Sequence, residues 1–265
     1  MGGSNYTAVS YLHPVPVVDL NADVGEWDLE PPSSEAELIA VISSANIACG
    51  VHAGNQRSMA RTVELAAAHN VSVGAHPSLD DRANFGRVEM PVSPVAVFDL
   101  VVAQVRTLAD VARVRGVPMR HVKPHGALYN MAARDRQLAD AIAEAVATLD
   151  ASLVLVGLAG SELLTAGQRA GLRTRSEVFA DRTYRADGSL VPRSTPGAVI
   201  DDPATVAARA VAMVRDGCVV AADGSTVAMV ADTICVHGDT PGAALLARRV
   251  RDSLTAAGID VSSGR

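Results

Sequence analysis

Polar side chains that could do chemistry gather at the ends of the apolar runs in this sequence. They include carboxylates, carboxamides, four histidines and a lysine: Asp19, Asn21, Asp23, Asn46, His52, Asn55, His76, Lys123, His125, Glu177, His237 and Asp239. Several lie two residues apart, which puts both side chains on one face of an extended strand. Because the carboxyl ends of parallel strands meet on one face of an α/β fold, we expect one concave site there.

Histidine is the most informative residue type in this group. Four of the seven histidines occupy corresponding positions after different apolar runs: His52, His76, His125 and His237. A single histidine at a strand end is more often held by a loop carbonyl than catalytic. Four at equivalent points favour a ligand site, so we expect at least two to act on a ligand and the others to orient neighbouring groups.

Lys123 stands out by composition, because it is the only lysine among 23 basic residues. A compact ammonium reaches a phosphate or carbonyl oxygen where a planar guanidinium does not fit, so we interpret Lys123 as a ligand-contacting cation. The alternative is an ion pair with a carboxylate across the same face. An ion-paired lysine is expected to tolerate replacement by arginine, whereas a ligand contact is not.

Several other candidates have structural alternatives. At least one of Asp19, Asn21 and Asp23 is expected to cap the following turn through Asx hydrogen bonds. Cys49 and Cys235 lie in apolar runs and are predicted to be small core residues, reduced and dispensable for turnover.

Two further groups of charged residues keep two interpretations. Glu177 and Asp181 either contact a ligand or form ion pairs with Arg182 or Arg185. The segment 81–87, with arginines on both sides of Asn-Phe-Gly, is either a lid that clamps an anion or a solvated loop.

The elements that must position these residues are short strands alternating with long helical patterns. Seven runs read as strands: PVPVVDLN, ANIAC, VSVGA, RHVKP, LVLVGL, LRTRSEVF and DTICVH. All but the sixth are followed promptly by a helical pattern, which predicts βαβ units and a parallel sheet. The spacing fits either a closed barrel or an open doubly wound sheet.

Helix-capping and turn residues mark where these elements begin and end. Side-chain caps followed by proline predict helix starts at Ser93-Pro94, Asp202-Pro203 and Thr240-Pro241. The pair Asp223-Gly224 predicts a β-hairpin inserted before the last unit. With no linker or repeat, residues 1–265 are expected to form a single domain, with residues 1–15 as an N-terminal extension.

Composition narrows the function classes. The chain is 49% hydrophobic with a formal net charge of −6, which disfavours a nucleic-acid partner. Three scattered cysteines predict a reducing compartment, and the N-terminus has neither a signal peptide nor a membrane span, so we expect a cytoplasmic protein. No P-loop, dinucleotide fingerprint, zincin helix or nucleophile elbow is present, so any nucleotide binds without a P-loop.

Seven strings resemble one family in their order and spacing over roughly residues 16–260. They are DLNADVGE, SANIACGVHAGN, VGAHPSLDD, NFGR, HVKPHGALYN, EVFADRTYRADGSLVPR and TICVHGDTPGA. This set resembles the LamB/YcsF family, whose members are A subunits of bacterial ATP-dependent 5-oxoprolinase. The chain departs from the family pattern at Asn55, where an aspartate is common, and at Val88, where an arginine is common.

The resemblance implies a fold, a reaction and partners. The fold is a single distorted TIM-like (β/α) barrel of about seven strands, to which the sequence adds the small β-hairpin insertion. The reaction opens 5-oxoproline to glutamate with ATP as co-substrate, together with separate B and C subunits. We expect Mg²⁺ to accompany the ATP and no tightly bound organic cofactor.

The chemistry of that reaction suggests a role for each candidate residue. Phosphoryl transfer is mostly positioning and charge neutralisation, which favours Lys123 and Arg87 as phosphate contacts. Asp23 or Asp239 would act as general base for water, with His125 or His237 as its proton partner. Asn21, Asn46, Asn55 and Glu177 are candidate substrate or phosphate contacts, and His52 and His76 complete the catalytic set.

Two other hypotheses compete with this one. By analogy with related barrels, the chain could be a metal-dependent carbohydrate N-deacetylase, with Asp23, His52 and His125 as ligands of a divalent ion. Alternatively, the chain is a non-catalytic subunit whose site is completed only by its partners.

Overall fold

The computed structural model describes residues 15–236 and 242–264. Its centre is a closed barrel of seven parallel strands, which confirms the TIM-like architecture and decides against an open sheet. The barrel strands, in spatial order, are β1 (Val17–Val24), β2 (Ser44–Ala48), β3 (Ser72–His76), β4 (Met119–Val122), β5 (Val154–Leu158), β6 (Arg173–Val178) and β9 (Thr233–Val236). All seven coincide with the strands predicted from the sequence.

Closure of the barrel depends on pairing between its first and last strands. In β1 and β9, Asp19 lies opposite Thr233 and Ala22 lies opposite Val236. Strand β9 also pairs with β6, so every barrel strand has two neighbours and no edge remains. This closure brings all the carboxyl ends to one rim.

Eight α-helices surround the barrel in the described part of the chain. They are α1 (Ser33–Ile39), α2 (Gln56–Ala68), α3 (Pro94–Val114), α4 (Gly126–Arg134), α5 (Arg136–Leu149), α6 (Glu162–Arg169), α7 (Pro203–Asp216) and α8 (Ala243–Ala256). Their apolar faces pack on the outside of the strands around residues such as Val63, Leu108 and Ile142. No helix in residues 15–236 and 242–264 is long and apolar enough to cross a membrane.

Two of the predicted helix starts are confirmed. Ser93 accepts a hydrogen bond from the amide of Ala96, and Asp202 accepts one from the amide of Thr205, each with proline at the start of the helix. The predicted cap at Thr240-Pro241 lies outside the described residues, and α8 begins at Ala243.

Two small β elements lie outside the barrel. Strands β7 (Cys218–Val220) and β8 (Thr226–Ala228) form the antiparallel hairpin predicted at Asp223-Gly224. Strand β10 (Asp260–Val261) adds to β1 as a parallel neighbour and was not predicted. Its two residues are too few to give a readable alternating pattern.

Candidate functional site

The interior of the barrel is polar along β1, where the alternating residues Asp19, Asn21 and Asp23 all face inward. Asp19 accepts hydrogen bonds from the hydroxyls of Ser43 (2.6 Å) and Thr233 (2.6 Å). The predicted Asx capping by one of the three is therefore wrong. Their side chains contact neighbouring strands, because an extended strand keeps every second residue on the inner face.

Asn21 and Asn46 connect neighbouring strands between Asp19 and the rim of the barrel. The Asn46 amide donates to the side-chain oxygen of Asn21 at 2.7 Å and to Asp23 Oδ1 at 2.9 Å. Asn21 in turn donates to Glu177 Oε1 at 2.9 Å. Both asparagines were predicted as ligand contacts, and the structure shows them orienting the buried carboxylates.

Lys123 lies at the centre of this polar interior. Its Nζ is 3.0 Å from Asp23 Oδ1 and 2.8 Å from Glu177 Oε1, and it donates to Asn21 Oδ1 at 3.2 Å and to Cys235 Sγ at 3.1 Å. Burial alone would lower the pKa of Lys123, but the neighbouring carboxylates outweigh burial and hold that pKa well above its usual value. Lys123 is therefore charged, and the ion pair across the barrel, one of its two predicted interpretations, is present.

Glu177 has a different partner from the one that the sequence indicated. Its carboxylate pairs with Lys123, and neither Arg182 nor Arg185 is its partner. Residues on β6 alternate between the two faces, so Glu177 points into the barrel while the arginines follow in the next loop. The Arg182 guanidinium is instead held by the carbonyls of Val191 and Ala198.

Three histidines from three different strand ends meet at the rim. His125 Nδ1 lies 3.0 Å from His76 Nε2, and His76 Nε2 lies 3.3 Å from Asp23 Oδ2. The His52 ring stacks on the His125 ring with centroids 3.9 Å apart. His52 Nε2 is 3.2 Å from Glu26 Oε1. The structure thus brings Asp23, Lys123 and these three histidines into one cluster.

Burial controls the charge of two of these rings. It lowers the pKa of His52 to about 3 and the pKa of His125 to about 2, with the neighbouring imidazoles adding to the effect. Both rings are therefore neutral near pH 7. A neutral imidazole can accept a hydrogen bond or bind a cation through its free nitrogen, but with so low a pKa it is a weak general base.

The segment 81–87 covers these rings. The Phe85 carbonyl accepts a hydrogen bond from His125 Nε2 at 2.8 Å, and the Gly86 carbonyl accepts one from the amide of Ala127 at 2.9 Å. Gly126 must be glycine here, because it has a φ of +54° and an added Cβ would lie 2.5 Å from the Gly86 oxygen. The loop and the start of α4 are thereby packed against each other over the histidines.

The two arginines of this segment differ in their contacts. Arg82 donates to the carbonyls of Gly50 (3.1 Å) and Gly54 (3.0 Å) and pairs with Asp28, so it ties the segment to the loop after β2. The guanidinium of Arg87 lies over the ring of Phe85, 4.7 Å from its centroid. Arg82 is thus a structural residue of the segment, and the predicted phosphate contact of Arg87 stays a prediction.

Three predicted residues have other locations. Asn55 caps α2, since its side-chain oxygen accepts from the amides of Arg57 (2.9 Å) and Ser58 (3.1 Å). These contacts are those of a helix cap and give its predicted ligand role no support. His237 and Asp239 lie outside the described residues.

The predicted metal ligands Asp23, His52 and His125 do not come together as one set. The donor atoms that do lie close together belong to Asp23, His76 and His125, and to Glu26, His52 and His125. The prediction was wrong because His52 turns toward Glu26, while His76 lies between Asp23 and His125.

Sequence reasoning missed two residues of the site, Glu26 and His121. Glu26 belongs to the string DLNADVGE but lies beyond the end of β1, where strand alternation no longer applies. His121 is buried on β4 with Nε2 2.9 Å from Asn46 Oδ1. Its position two residues before Lys123 places both on the same face and could have identified it.

The predicted burial of Cys49 and Cys235 is confirmed, and their dispensability for turnover stays a prediction. All three cysteines are free, and Cys49 and Cys235 are buried. Burial raises the pKa of Cys49 to about 12, so this thiol is protonated and is a poor nucleophile.

Comparisons with known proteins cover nearly the whole chain. Residues 18–265 match the model of the LamB/YcsF family. The A subunit of 5-oxoprolinase from Bordetella pertussis is 50% identical over 252 residues, covering 94% of this chain and 99% of that protein. The protein of the same name from Tolumonas auensis is 51% identical over 247 residues, covering 93% and 98%. The crystal structure of the lactam utilization protein from Thermus thermophilus superposes with a TM-score of 0.87 at 46% identity, covering 93% and 99%. This chain therefore belongs to the LamB/YcsF family.

Proposed function

We propose that this chain is the A subunit of a 5-oxoprolinase, which opens the lactam ring of 5-oxo-L-proline to give L-glutamate at the expense of ATP. The relatives that match along almost their full length carry that name, and a lactam utilization protein has the same fold. The observation that carries the proposal within the structure is the series of close polar contacts from Lys123 through Asp23 to His76 and His125 at the barrel rim.

The reaction needs activation, because an amide carbon is a poor electrophile. Transfer of the γ-phosphoryl group to the lactam oxygen releases ADP and leaves a carbon that water can attack. After water adds, the C–N bond breaks and the nitrogen takes a proton, which leaves an acyl phosphate. A second water releases phosphate and glutamate, so one lactam, one ATP and two waters are consumed.

Asp23 is the general base that the described residues support best. Its side chain retains 13% exposure, whereas Lys123 and His76 are almost fully buried behind it. Lys123 and Asn46 both donate to Oδ1 and hold the carboxylate in place, while Oδ2 faces His76. We assign Lys123 to positioning Asp23, since two carboxylates already neutralise its charge.

The ATP co-substrate, its Mg²⁺ and the partner subunits are parts of this proposal. The relatives are named as one lettered subunit of an enzyme, which indicates an assembly of several subunits, and we propose that separate B and C proteins complete it. The rim geometry supplies a base and oriented polar groups, and Arg87 remains the candidate phosphate contact. We also place the enzyme in a reducing cytoplasm, in keeping with its free thiols.

The test is ATP-dependent release of glutamate from 5-oxoproline, measured with this chain alone, with each partner and with both. We expect full activity only in the complete assembly, and a fall of about 100-fold or more for Asp23→Asn, as for loss of a general base. The control is Arg57→Ala, which removes an exposed ion pair with Glu30. Undiminished turnover by Asp23→Asn would refute the assignment of Asp23, and glutamate release without ATP would refute the reaction.

A further inference from the structure

The protons of two rim histidines are fixed by backbone carbonyls. His76 Nδ1 lies 2.7 Å from the carbonyl oxygen of Lys123, and His125 Nε2 lies 2.8 Å from the carbonyl oxygen of Phe85. A carbonyl oxygen only accepts hydrogen bonds, so each ring must carry a proton on that nitrogen. When a ring carries only that proton, its other nitrogen, His76 Nε2 or His125 Nδ1, presents a lone pair.

Those two lone pairs point at each other. The two nitrogens are 3.0 Å apart, and a carboxylate oxygen of Asp23 lies 3.3 Å from His76 Nε2. Two ring nitrogens and one carboxylate oxygen, all able to bind a cation, thus converge on one point. Acceptors at this distance repel one another unless a positive charge lies among them, either a proton or a metal ion.

The spacing of the donor atoms suits a metal ion. With Zn–N and Zn–O bonds of about 2.0 to 2.1 Å, the corners of a tetrahedral zinc site are about 3.3 Å apart. The observed separations of 3.0 and 3.3 Å lie close to that edge. All donor atoms of Asp23, His76 and His125 are within 4.8 Å of one another.

The surroundings of the rings also resemble those of metal ligands. A histidine that binds a metal generally donates its other N–H to a carbonyl or carboxylate, which fixes the tautomer. Both rings have that partner here. Phe85 adopts a left-handed conformation, with φ of 57°, at the residue whose carbonyl receives the His125 proton.

A second carboxylate lies on the other side of His125. Glu26 Oε1 is 3.9 Å from His125 Nδ1, so negative charge surrounds the nitrogen that would face the ion. His52 is linked to that carboxylate by a 3.2 Å contact and stacks on His125.

We propose that Asp23 Oδ2, His76 Nε2 and His125 Nδ1 bind a divalent transition-metal ion, with Zn²⁺ as the ion that suits this donor set. Glu26 and His52 flank the ion on its His125 side. Two imidazoles and a carboxylate leave a fourth coordination position open, as in metal sites that bind water or a substrate oxygen. The proposal concerns binding by this chain alone. It competes with the general-base assignment of Asp23 made above, because an Oδ2 atom that coordinates an ion does not take a proton from water.

The experiment is metal binding by the purified chain, without ATP, 5-oxoproline or partner proteins. After treatment with a chelator and its removal, the chain is titrated with Zn²⁺ by calorimetry and with Co²⁺ by visible absorption. We expect one ion per chain and the intense d–d absorption of four- or five-coordinate Co²⁺. Loss of the hydrogen-bond partner of a metal ligand weakens binding by about 10- to 100-fold. His76→Ala and His125→Ala each remove a ligand itself, so each should weaken Zn²⁺ binding by more than that.

His69→Ala is the matched control, because His69 is an exposed histidine at the end of α2. It should leave the affinity unchanged. Asp23→Asn supplies a near-isosteric second test if either alanine variant fails to fold by circular dichroism. Absence of binding to the metal-free wild-type chain at micromolar Zn²⁺, or one-to-one binding that survives these substitutions, would overturn the proposal.

Discussion

Replacement of Lys123 by methionine tests the electrostatics of the barrel interior most directly. The ammonium lies 2.8 Å from Glu177 and 3.0 Å from Asp23, and the side chains of Lys123 and Glu177 are 3% and 0% exposed. Methionine keeps most of the length and apolar volume of lysine and removes the charge. The variant therefore leaves two carboxylates inside the barrel without their shared cation.

The size of the effect follows from these distances. At an effective dielectric constant of about 20, charges 3 Å apart attract each other by about 5 to 6 kcal/mol, and much of this is offset by the cost of burying them. Removal of one partner from a buried pair costs about 3 to 5 kcal/mol, because the remaining charge stays buried. We expect Lys123→Met to lower the free energy of unfolding by that amount.

A double variant separates lost charge from lost packing. Glu177→Gln removes one of the two stranded carboxylates, so Lys123→Met with Glu177→Gln should be less destabilised than the sum of the two single changes. Lys123→Arg should also destabilise, by about 1 to 3 kcal/mol, because four acceptors already crowd the ammonium and a guanidinium is larger. This outcome would differ from the expectation that an ion-paired lysine tolerates arginine.

The measurement is urea unfolding, followed by circular dichroism and by the fluorescence of Trp27, the single tryptophan, which is 7% exposed. The control, Arg57→Ala, removes an exposed ion pair and should leave the unfolding midpoint nearly unchanged. A Lys123→Met chain within about 1 kcal/mol of wild type would show that the buried pair does not carry the stability attributed to it.

Three other predictions follow from single buried residues. Cys49→Ala should retain glutamate formation in the assembled enzyme, because burial raises the pKa of this thiol to about 12; loss of turnover in a folded variant would point to covalent catalysis. Burial lowers the pKa of His121 to about 3, so only the unfolded chain takes up its proton as pH falls from 7 to 5. Unfolding free energy should drop over that range with a slope up to about 1.4 kcal/mol per pH unit steeper than in His121→Asn, and equal slopes would contradict this. Gly74→Ala should destabilise by about 1 to 3 kcal/mol, because its Cβ would lie 2.2 Å from the His121 ring; added His121→Ala should relieve the clash, and unfolding curves for both variants test this.

The sequence predicted the strands and the rim because both depend on local patterns. Apolar runs of four to eight residues mark buried parallel strands, and a polar residue just after such a run lies at the rim. Asp23, His76 and His125 were found in this way, although they are far apart in the chain. The closed barrel was not predicted by periodicity, because closure depends on pairing between β1 and β9, which are separated by about two hundred residues.

The partners of the rim residues could not be predicted from local patterns. Glu177 has arginines nearby in sequence, but its partner is Lys123 on another strand. His52 was predicted to share a metal ion with Asp23, but its ring contacts Glu26. Glu26 lies in a loop, where strand alternation does not predict the direction of a side chain. Such pairings depend on side-chain directions at the rim, which are set by the folded loops and not by residue spacing.

The polar interior of this barrel indicates what the fold is built to hold. Layers of branched aliphatic side chains usually fill such barrels, and replacing a buried ion pair by apolar residues is often neutral or stabilising. Here the polar contacts continue from Asp19, near the start of β1, through Lys123 to His125 at the rim. Stability alone does not require them. Each of these polar side chains is held in a fixed orientation by the one below it. As a result, a carboxylate and two imidazoles face a single point where a positive charge or a reacting atom can be bound.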